Sequence, residues 1–278
     1  LAYEYTMAQA IHDGYLCPIK AQMIPLQLDL KDVAITQGDY NAGQIGSALE
    51  PYLNQIAKEM LTYCKGRKTM VFLPLIKTSQ AFCELLNCYG LRAAEVNGNS
   101  ENREQILEDF KNGEYDVLCN SMLLTEGYDE PSVDCIVCLR PTKVRSLYQQ
   151  MIGRGMRISE GKKDLLILDF LWLTERHDLC KPSSLVCKDA EIAEKVNSKI
   201  YSSGGAIDLI VANETAEKDT ERTQMRPVSF FIAVRRSRLT FQGTSSSNGS
   251  GFSPSGFSGG VPPLPPSGGV PPKSPGAP

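Results

Sequence analysis

Histidine is scarce in this 278-residue sequence, long apolar runs are missing, and neither sign of charge dominates. The two histidines are His12 and His177. Bases so few and so far apart do not suggest a Ser/His/Asp or Cys/His nucleophile. No stretch reaches the roughly 18 consecutive apolar residues that a membrane span needs. The first ten residues carry Glu4 and lack the apolar segment of a secretory signal. A membrane-embedded protein is therefore not expected, and a cytoplasmic one is. The formal net charge is −3, so the field of the whole molecule does not announce a nucleic-acid binder. A local basic groove can still hide inside that average. Two further absences concern phosphate chemistry. There is no G-x-x-x-x-G-K-S/T cradle and no carboxylate pair set to hold Mg²⁺. Gly66-Arg67-Lys68-Thr69 has its glycine displaced and no helix after it. Gly161-Lys162-Lys163 lacks the upstream glycine and the hydroxyl. In Asp129-Glu130-Pro131-Ser132 a proline directly follows the two carboxylates. No Gly-rich fingerprint follows an early strand either, which argues against a small-molecule α/β enzyme.

What is present begins with nine cysteines, an odd number in a chain with no signal peptide. Reduced thiols are the expectation. Cys135 and Cys138 have the spacing of a zinc knuckle, with His177, Cys180 and Cys187 as potential partners. They lie in an apolar strand, however, where side chains three apart face opposite ways, so no metal site is expected. The chain begins with Leu1, which fits a fragment better than a natural start.

Organisation follows from hydrophobic periodicity. Ile24-Pro25-Leu26-Gln27-Leu28-Asp29-Leu30 alternates and reads as a strand; 48–64 reads as a helix. From Lys68 onward, strands at 69–73, 92–96, 115–119, 133–139 and 164–170 alternate with helical patterns, the last of them over 144–156. Thr78 or Ser79 is placed to cap the helix after the first of these strands, and Ser100 the helix after the second. Such alternation predicts an α/β fold with a mainly parallel sheet and helices on both faces. The uniformly apolar strands agree. In such sheets ligands gather beyond the carboxyl ends of the strands, which is where the loop after Cys119 and the helix after Leu139 are expected. The resulting plan is a lead-in segment and first helix over 1–65, an α/β domain over 66–172, a helical extension over 173–240, and a disordered tail over 241–278. The tail is nearly all Ser, Gly and Pro and repeats Ser-Gly-Gly-Val-Pro-Pro, a composition that cannot offset the entropy of ordering.

One stretch carries most of the chemistry: Gln150-Met151-Ile152-Gly153-Arg154-Gly155-Met156-Arg157. Arg154 and Arg157, three apart, are expected on one helical face, aimed at a single anion. Guanidinium forks suit the charge that develops during phosphoryl transfer. Gly153 and Gly155 cost a helix about 1 kcal/mol each relative to Ala, which implies close approach of a ligand or another lobe. Solvated arginines on a surface helix are the plain alternative.

Taken together, residues 66–170 resemble the second RecA-like lobe of superfamily 2 helicases, especially bacterial and phage enzymes related to type III restriction and repair helicases. The resemblance rests on Val71-Phe72-Leu73-Pro74 with Thr78 and Ser79, on Glu95-Val96-Asn97-Gly98 with Arg103 and Phe110, on the run from Ser121 to Asp129, and above all on the run from Gln150 to Arg157. Ala10-Ile11-His12-Asp13-Gly14-Tyr15 looks like the entry to that lobe. The resemblance implies that Arg157 is the arginine finger, Arg154 its partner, and Gln150 the polar link between ATP and the moving lobe. It implies that Gly127, Asp129 and Gly153 lie at the nucleotide, and that Asn97, Gly98, Ser121, Thr78 and Ser79 lie along a nucleic-acid strand. Glu126 stands where many relatives carry arginine. ATP with Mg²⁺ would be held mainly by an absent N-terminal lobe. The partners implied are single-stranded or duplex DNA, with RNA as the alternative, and that lobe. The expectation is the C-terminal half of a helicase or translocase, inactive alone, in a bacterial cell or in host cytoplasm if phage-encoded. The rival is a non-enzymatic nucleic-acid-binding or adaptor module that kept the lobe and lost the motor.

Overall fold

The computed structural model describes residues 5–26, 28, 30, 32–121, 128–170 and 179–222. Gly127, Glu126, His177 and the tail predicted over 241–278 lie outside these residues. Six strands form a parallel sheet: β1 (Ile19–Met23), β4 (Thr69–Phe72), β5 (Ala93–Val96), β6 (Val117–Asn120), β7 (Cys135–Cys138) and β8 (Leu165–Asp169). Their order is β5-β6-β4-β7-β8-β1, and β9 (Ile207–Asp208) closes the last edge antiparallel to β1. A separate hairpin joins β2 (Ile35–Thr36) to β3 (Asp39–Tyr40). Its turn residues Gln37 and Gly38 both have positive φ, 53° and 85°, the backbone of the tight turns that match strand twist.

The helices sort onto two faces. On one, α2 (Ala42–Leu49), α3 (Leu53–Tyr63) and α4 (Ile76–Cys88) bury Leu49, Ile56, Met60 and Phe82 against Val71, Cys119, Val137 and Leu168. On the other, α5 (Arg103–Asn112), α6 (Arg145–Gly153), α7 (Ala190–Ser203) and helical residues 209–222 bury Phe110, Met151, Ile152, Val196 and Leu209 against Met70, Leu118, Ile136 and Ile167. The short α1 (Met7–His12), whose Met7 and Ile11 pack on the same cluster, joins this second face. Strand residues alternate strictly between the two cores, as the pleat requires. Cys135 belongs to one and Cys138 to the other. Among the described residues no cluster of His, Cys, Asp or Glu could hold a metal ion, and no helix is long and apolar enough to cross a membrane.

The α/β pattern expected from the sequence is present, with local corrections. The described residues of 24–30, namely 24–26, 28 and 30, are not in a strand. Ile24 N–H makes a last ladder-like bond to the Asp169 carbonyl at 2.9 Å, and Pro25 then has no N–H to continue it. The alternation there still reports burial, because Ile24, Leu26, Leu28 and Leu30 all enter the first core. The parallel strand lies just upstream, at β1. The helix expected over 48–64 is broken: α2 ends at Leu49, a 3₁₀ turn spans Glu50–Tyr52, and α3 starts at Leu53. Pro51 suits such a helix start and not a helix middle. Neither Thr78 nor Ser79 caps α4. The helix begins earlier, at Ile76, and both are buried within it. Ser100 does not cap α5 either. Its Oγ accepts the Asn97 N–H at 3.0 Å, and Asn102 stands at the helix start.

All nine cysteines are free thiols, and only Cys88 is exposed. Burial pushes Cys138 up to about 12 and Cys187 up to about 11, away from the reactive thiolate. In the native chain at pH 8, a thiol reagent such as Ellman's is expected to modify Cys88 quickly and the buried thiols only on unfolding. Fast modification of Cys135 or Cys138 would contradict the sheet.

Candidate functional site

The parallel register puts every strand start on one edge of the sheet and every strand end on the other. Ile19, Leu165, Cys135, Thr69, Val117 and Ala93 mark the amino edge. Helix α6 leaves the carboxyl end of β7 and returns toward the start of β8. Nine residues at 1.5 Å per residue span about 13 Å, enough to carry its last turn to the amino edge. Arg154 and Arg157 are therefore not at the carboxyl ends of the strands, as the sequence suggested, but at the opposite edge. They are also not on one helical face. Gly153 ends α6, Arg154 is its C-cap, and Arg157 lies beyond it. The helix is shorter than its apolar spacing implied.

At that edge Arg154 Nη1 donates to the Tyr128 carbonyl at 2.9 Å. The Arg157 guanidinium pairs with the Asp129 carboxylate, the two side chains 41% and 64% exposed. The four residues are thus brought together from before β7 and from the end of α6 and just beyond it. Gln150 is exposed on α6, and no contact joins it to them. The two glycines separate cleanly. A Cβ on Gly155 would stand 2.4 Å from Leu165 Cδ1 and 3.0 Å from Ile136 Cδ1, so core packing alone requires glycine there. A Cβ on Gly153 would meet nothing within 4 Å, and the chain itself gives no reason for that glycine.

What holds the edge together is a set of mostly half-buried charges that the sequence did not single out. The Lys162 ammonium donates to the carbonyls of Gly155 at 2.6 Å, Arg157 at 2.9 Å and Pro131 at 3.0 Å. All three of its donors are thereby engaged, stapling the loop before β7 to the segment after α6. Burial lowers its pKa. Cys17 N–H fixes the same segment by donating to the Met156 carbonyl at 2.9 Å. Beside it, Asp164 accepts from Lys20 at 2.7 Å and from Arg67 at 3.2 Å. Burial by itself would raise the Asp164 carboxyl, but these cations hold it below the usual carboxylate range. Arg67 also donates to the Asp134 carbonyl at 3.0 Å, and Asp134 Oδ1 accepts the Lys68 N–H at 2.9 Å. Lys162 was legible only as part of a basic pair with Lys163, a pattern that normally marks a solvated face.

The remaining candidates lie on the carboxyl edge. Gly98 is exposed, and a Cβ there would meet nothing within 4 Å. Ser121 follows β6 and is half-buried. Asn97 is only 4% exposed, and its side chain is committed: Nδ2 donates to Glu95 Oε2 at 2.8 Å and Oδ1 accepts the Asn99 N–H at 2.8 Å. It shapes the turn that presents Gly98 and offers little to a ligand. Thr78 and Ser79 are 2% and 0% exposed and present no surface to a strand, because α4 starts early enough to carry both into the core.

A three-layer α/β lobe with two loop-bearing edges and an arginine cluster on one of them is the class of protein this geometry defines. Comparison with known proteins narrows it. Residues 52–159 match the family of helicase conserved C-terminal domains. The chain is 30% identical over 199 residues to the putative ATP-dependent helicase IRC3 of Saccharomyces cerevisiae, covering 69% of this chain and 29% of that one. It is 28% identical over 177 residues to a 51.5 kDa protein of a Lactococcus phage, covering 63% and 39%. Among solved structures, a fragment of a putative HsdR subunit of a type I restriction enzyme from Vibrio vulnificus superposes with a TM-score of 0.51 at 25% identity, covering 60% of this chain and 34% of that one. The chain carries the C-terminal RecA-like lobe of the superfamily 2 helicases. It spans between about a quarter and two fifths of the length of these relatives.

The Lys162 staple yields a stability prediction. Lys162→Met removes the donor to three carbonyls, and a hydrogen bond to a charged group contributes about 1.5–3 kcal/mol. Urea unfolding should show a loss of about 2–3 kcal/mol, whereas the exposed neighbour in Lys163→Met should change stability by less than about 0.5 kcal/mol. Equal stability of the two variants would remove Lys162 from this role.

Proposed function

We propose that this chain is the C-terminal half of an ATP-dependent nucleic-acid helicase or translocase, in which a second lobe supplies the phosphate cradle and the Mg²⁺ site. The observation that carries this reading is the position of Arg154 and Arg157 at the rim of the amino edge, with Arg157 paired, among the described residues, to the exposed Asp129. A surface ion pair such as Arg157–Asp129 contributes about 0–1 kcal/mol, so its release to an incoming anion costs little. Two guanidinium forks fit the anionic end of a nucleotide bound across a cleft. When bound there with its metal ion, ATP would supply the free energy for the cycle.

In this reading Arg157 is the arginine finger, Arg154 steadies the loop at Tyr128 beside it, and Asp129, with Gly127 and Gly153, lies at the nucleotide. Gln150, exposed one turn before the arginines, faces the moving lobe. The carboxyl edge serves the strand, through Gly98 and Ser121, with Asn97 shaping the turn. The nucleic acid is single-stranded or duplex DNA, with RNA as the alternative. The putative helicase IRC3 and the phage protein extend well beyond the part this chain matches, which accords with a further lobe, and a cytoplasmic setting suits the assembly.

Phosphate release in the presence of single-stranded DNA tests the proposal. The chain alone should show none. Adding a separately produced first lobe should restore turnover, and Arg157→Ala should lower it by about 10³-fold or more, the scale of an arginine finger. Robust turnover by the chain alone would contradict the division of labour. DNA binding that is indifferent to nucleotide, with no turnover on adding any first lobe, would favour a non-enzymatic strand-binding module.

A further inference from the structure

The hairpin of β2 and β3 is tied to the start of α6 by a single carboxylate. Asp39 Oδ2 accepts from Thr142 Oγ1 at 2.7 Å, and Asp39 Oδ1 accepts the Lys143 N–H at 2.9 Å. Thr142 is 1% exposed, and its contacts make it a hub. Its Oγ1 accepts the Val144 N–H at 3.0 Å, at the N-cap of α6. Its carbonyl accepts the Cys180 N–H at 2.9 Å, from the segment beyond β8. The Lys143 ammonium lies 5.8 Å from the centre of the Tyr40 ring. Hairpin, β7–α6 loop and the segment after β8 thus meet at the carboxyl edge on Thr142, through its hydroxyl and its carbonyl, and on the Asp39 carboxylate.

The other end of α6 meets a second set of contacts. Gly155 packs against Leu165 and Ile136, and Lys162 and Cys17 bind the carbonyls of 155–157. Between the two ends the helix buries Tyr148, Met151 and Ile152 in the second core. Packed helices can shift as rigid bodies by about 1–2 Å. The axial position of α6 is therefore set by what holds its ends. Displacing Asp39 would shift the start of α6, and a short rigid helix would pass that shift to Arg154 and Arg157.

We propose that Asp39 is a positioning residue that couples the strand-facing carboxyl edge to the arginine pair, through Thr142 and the body of α6. The inference rests on the helicase reading above, and it names the path by which an occupied strand site would set the arginines. Binding at the carboxyl edge loads the hairpin and its neighbouring loops. The Asp39–Thr142 clamp converts that load into a displacement of α6, and the arginines take up a new position at the other edge. Without the clamp, the strand still binds and the message stops.

The chain as it stands allows the test, with hydrogen exchange of the peptide covering 150–158 read with and without single-stranded oligothymidylate. Coupling between sites is commonly worth about 5–150-fold, so oligothymidylate should change exchange in that peptide by about five-fold or more. Thr142→Ser, which keeps the hydroxyl, should retain the change. Asp39→Ala and the isosteric Thr142→Val should lose it while binding the oligonucleotide with nearly wild-type affinity by fluorescence anisotropy. Asp39→Asn, which keeps the shape, serves if the alanine variant is not native by circular dichroism. A residue that merely stabilises the fold would lower the melting temperature and leave the exchange response intact, and that result overturns the proposal. So does a wild-type chain that binds the oligonucleotide with no response at 150–158. A chain that does not bind it at all overturns the helicase reading along with this one.

Discussion

A sheet of parallel strands covered by helices on both faces leaves a protein only two places to meet its ligands. Here six strands share one register, so every loop entering a strand converges on one edge and every loop leaving a strand on the other. The two faces are spent on core. This constraint decides where each chemically useful residue can act. It places Arg154, Arg157, Tyr128 and Asp129 together at the amino edge, though 24 residues separate the two segments at their nearest points, 129 and 154 being followed and preceded by the whole of β7 and α6. It also places Gly98 and Ser121 at the carboxyl edge. Helix α6 is the element that begins at one and ends at the other.

The two kinds of cation have separate tasks for physical reasons. Lys162 carries a compact charge whose three donors can each find a carbonyl, and it is half-buried where such a knot is useful. Arg154 and Arg157 carry planar forks that match the oxygens of a carboxylate or phosphate. The first makes the edge rigid, while the second pair stays at its rim. In the proposed reading, an arginine that receives an anion must not be held by a strong internal partner. The Asp129 carboxylate, largely exposed, keeps the Arg157 fork oriented and lets it go at small cost.

Much of this was readable in the sequence, and the reasons for the rest are specific. Alternating strand and helix patterns identified the parallel sheet because strands buried on both faces are continuously apolar. Cys135 and Cys138 were rightly separated, since a pleat sends residues three apart to opposite cores. Element ends were harder. Pro25 hid the true strand upstream of it, and Pro51 split one apparent helix into two. The arginines were singled out as the chemical centre, but their edge was misassigned: the carboxyl-end rule applies to loops that follow strands, and these residues follow a helix that has already crossed the sheet. Asn97, Thr78 and Ser79 looked like surface hydroxyls and amides in a list of residue types. Burial turned all three into parts of the scaffold. Lys162 and Asp39 were not legible, because nothing in a sequence says that a lysine will find three carbonyls or that an aspartate will clamp a loop about a hundred residues away.

The central claim is that the amino-edge arginines complete a nucleotide site that another lobe begins. Enzyme groups that act on a transition state bind its mimics about 10²-fold or more tighter than ground states. Sedimentation should therefore show this chain associating with a first lobe at least about 10²-fold more tightly in ADP with aluminium fluoride than in ADP alone, with the gain abolished when both arginines are replaced by alanine. Association of equal strength in both nucleotide states, or a gain that survives the double replacement, would contradict it.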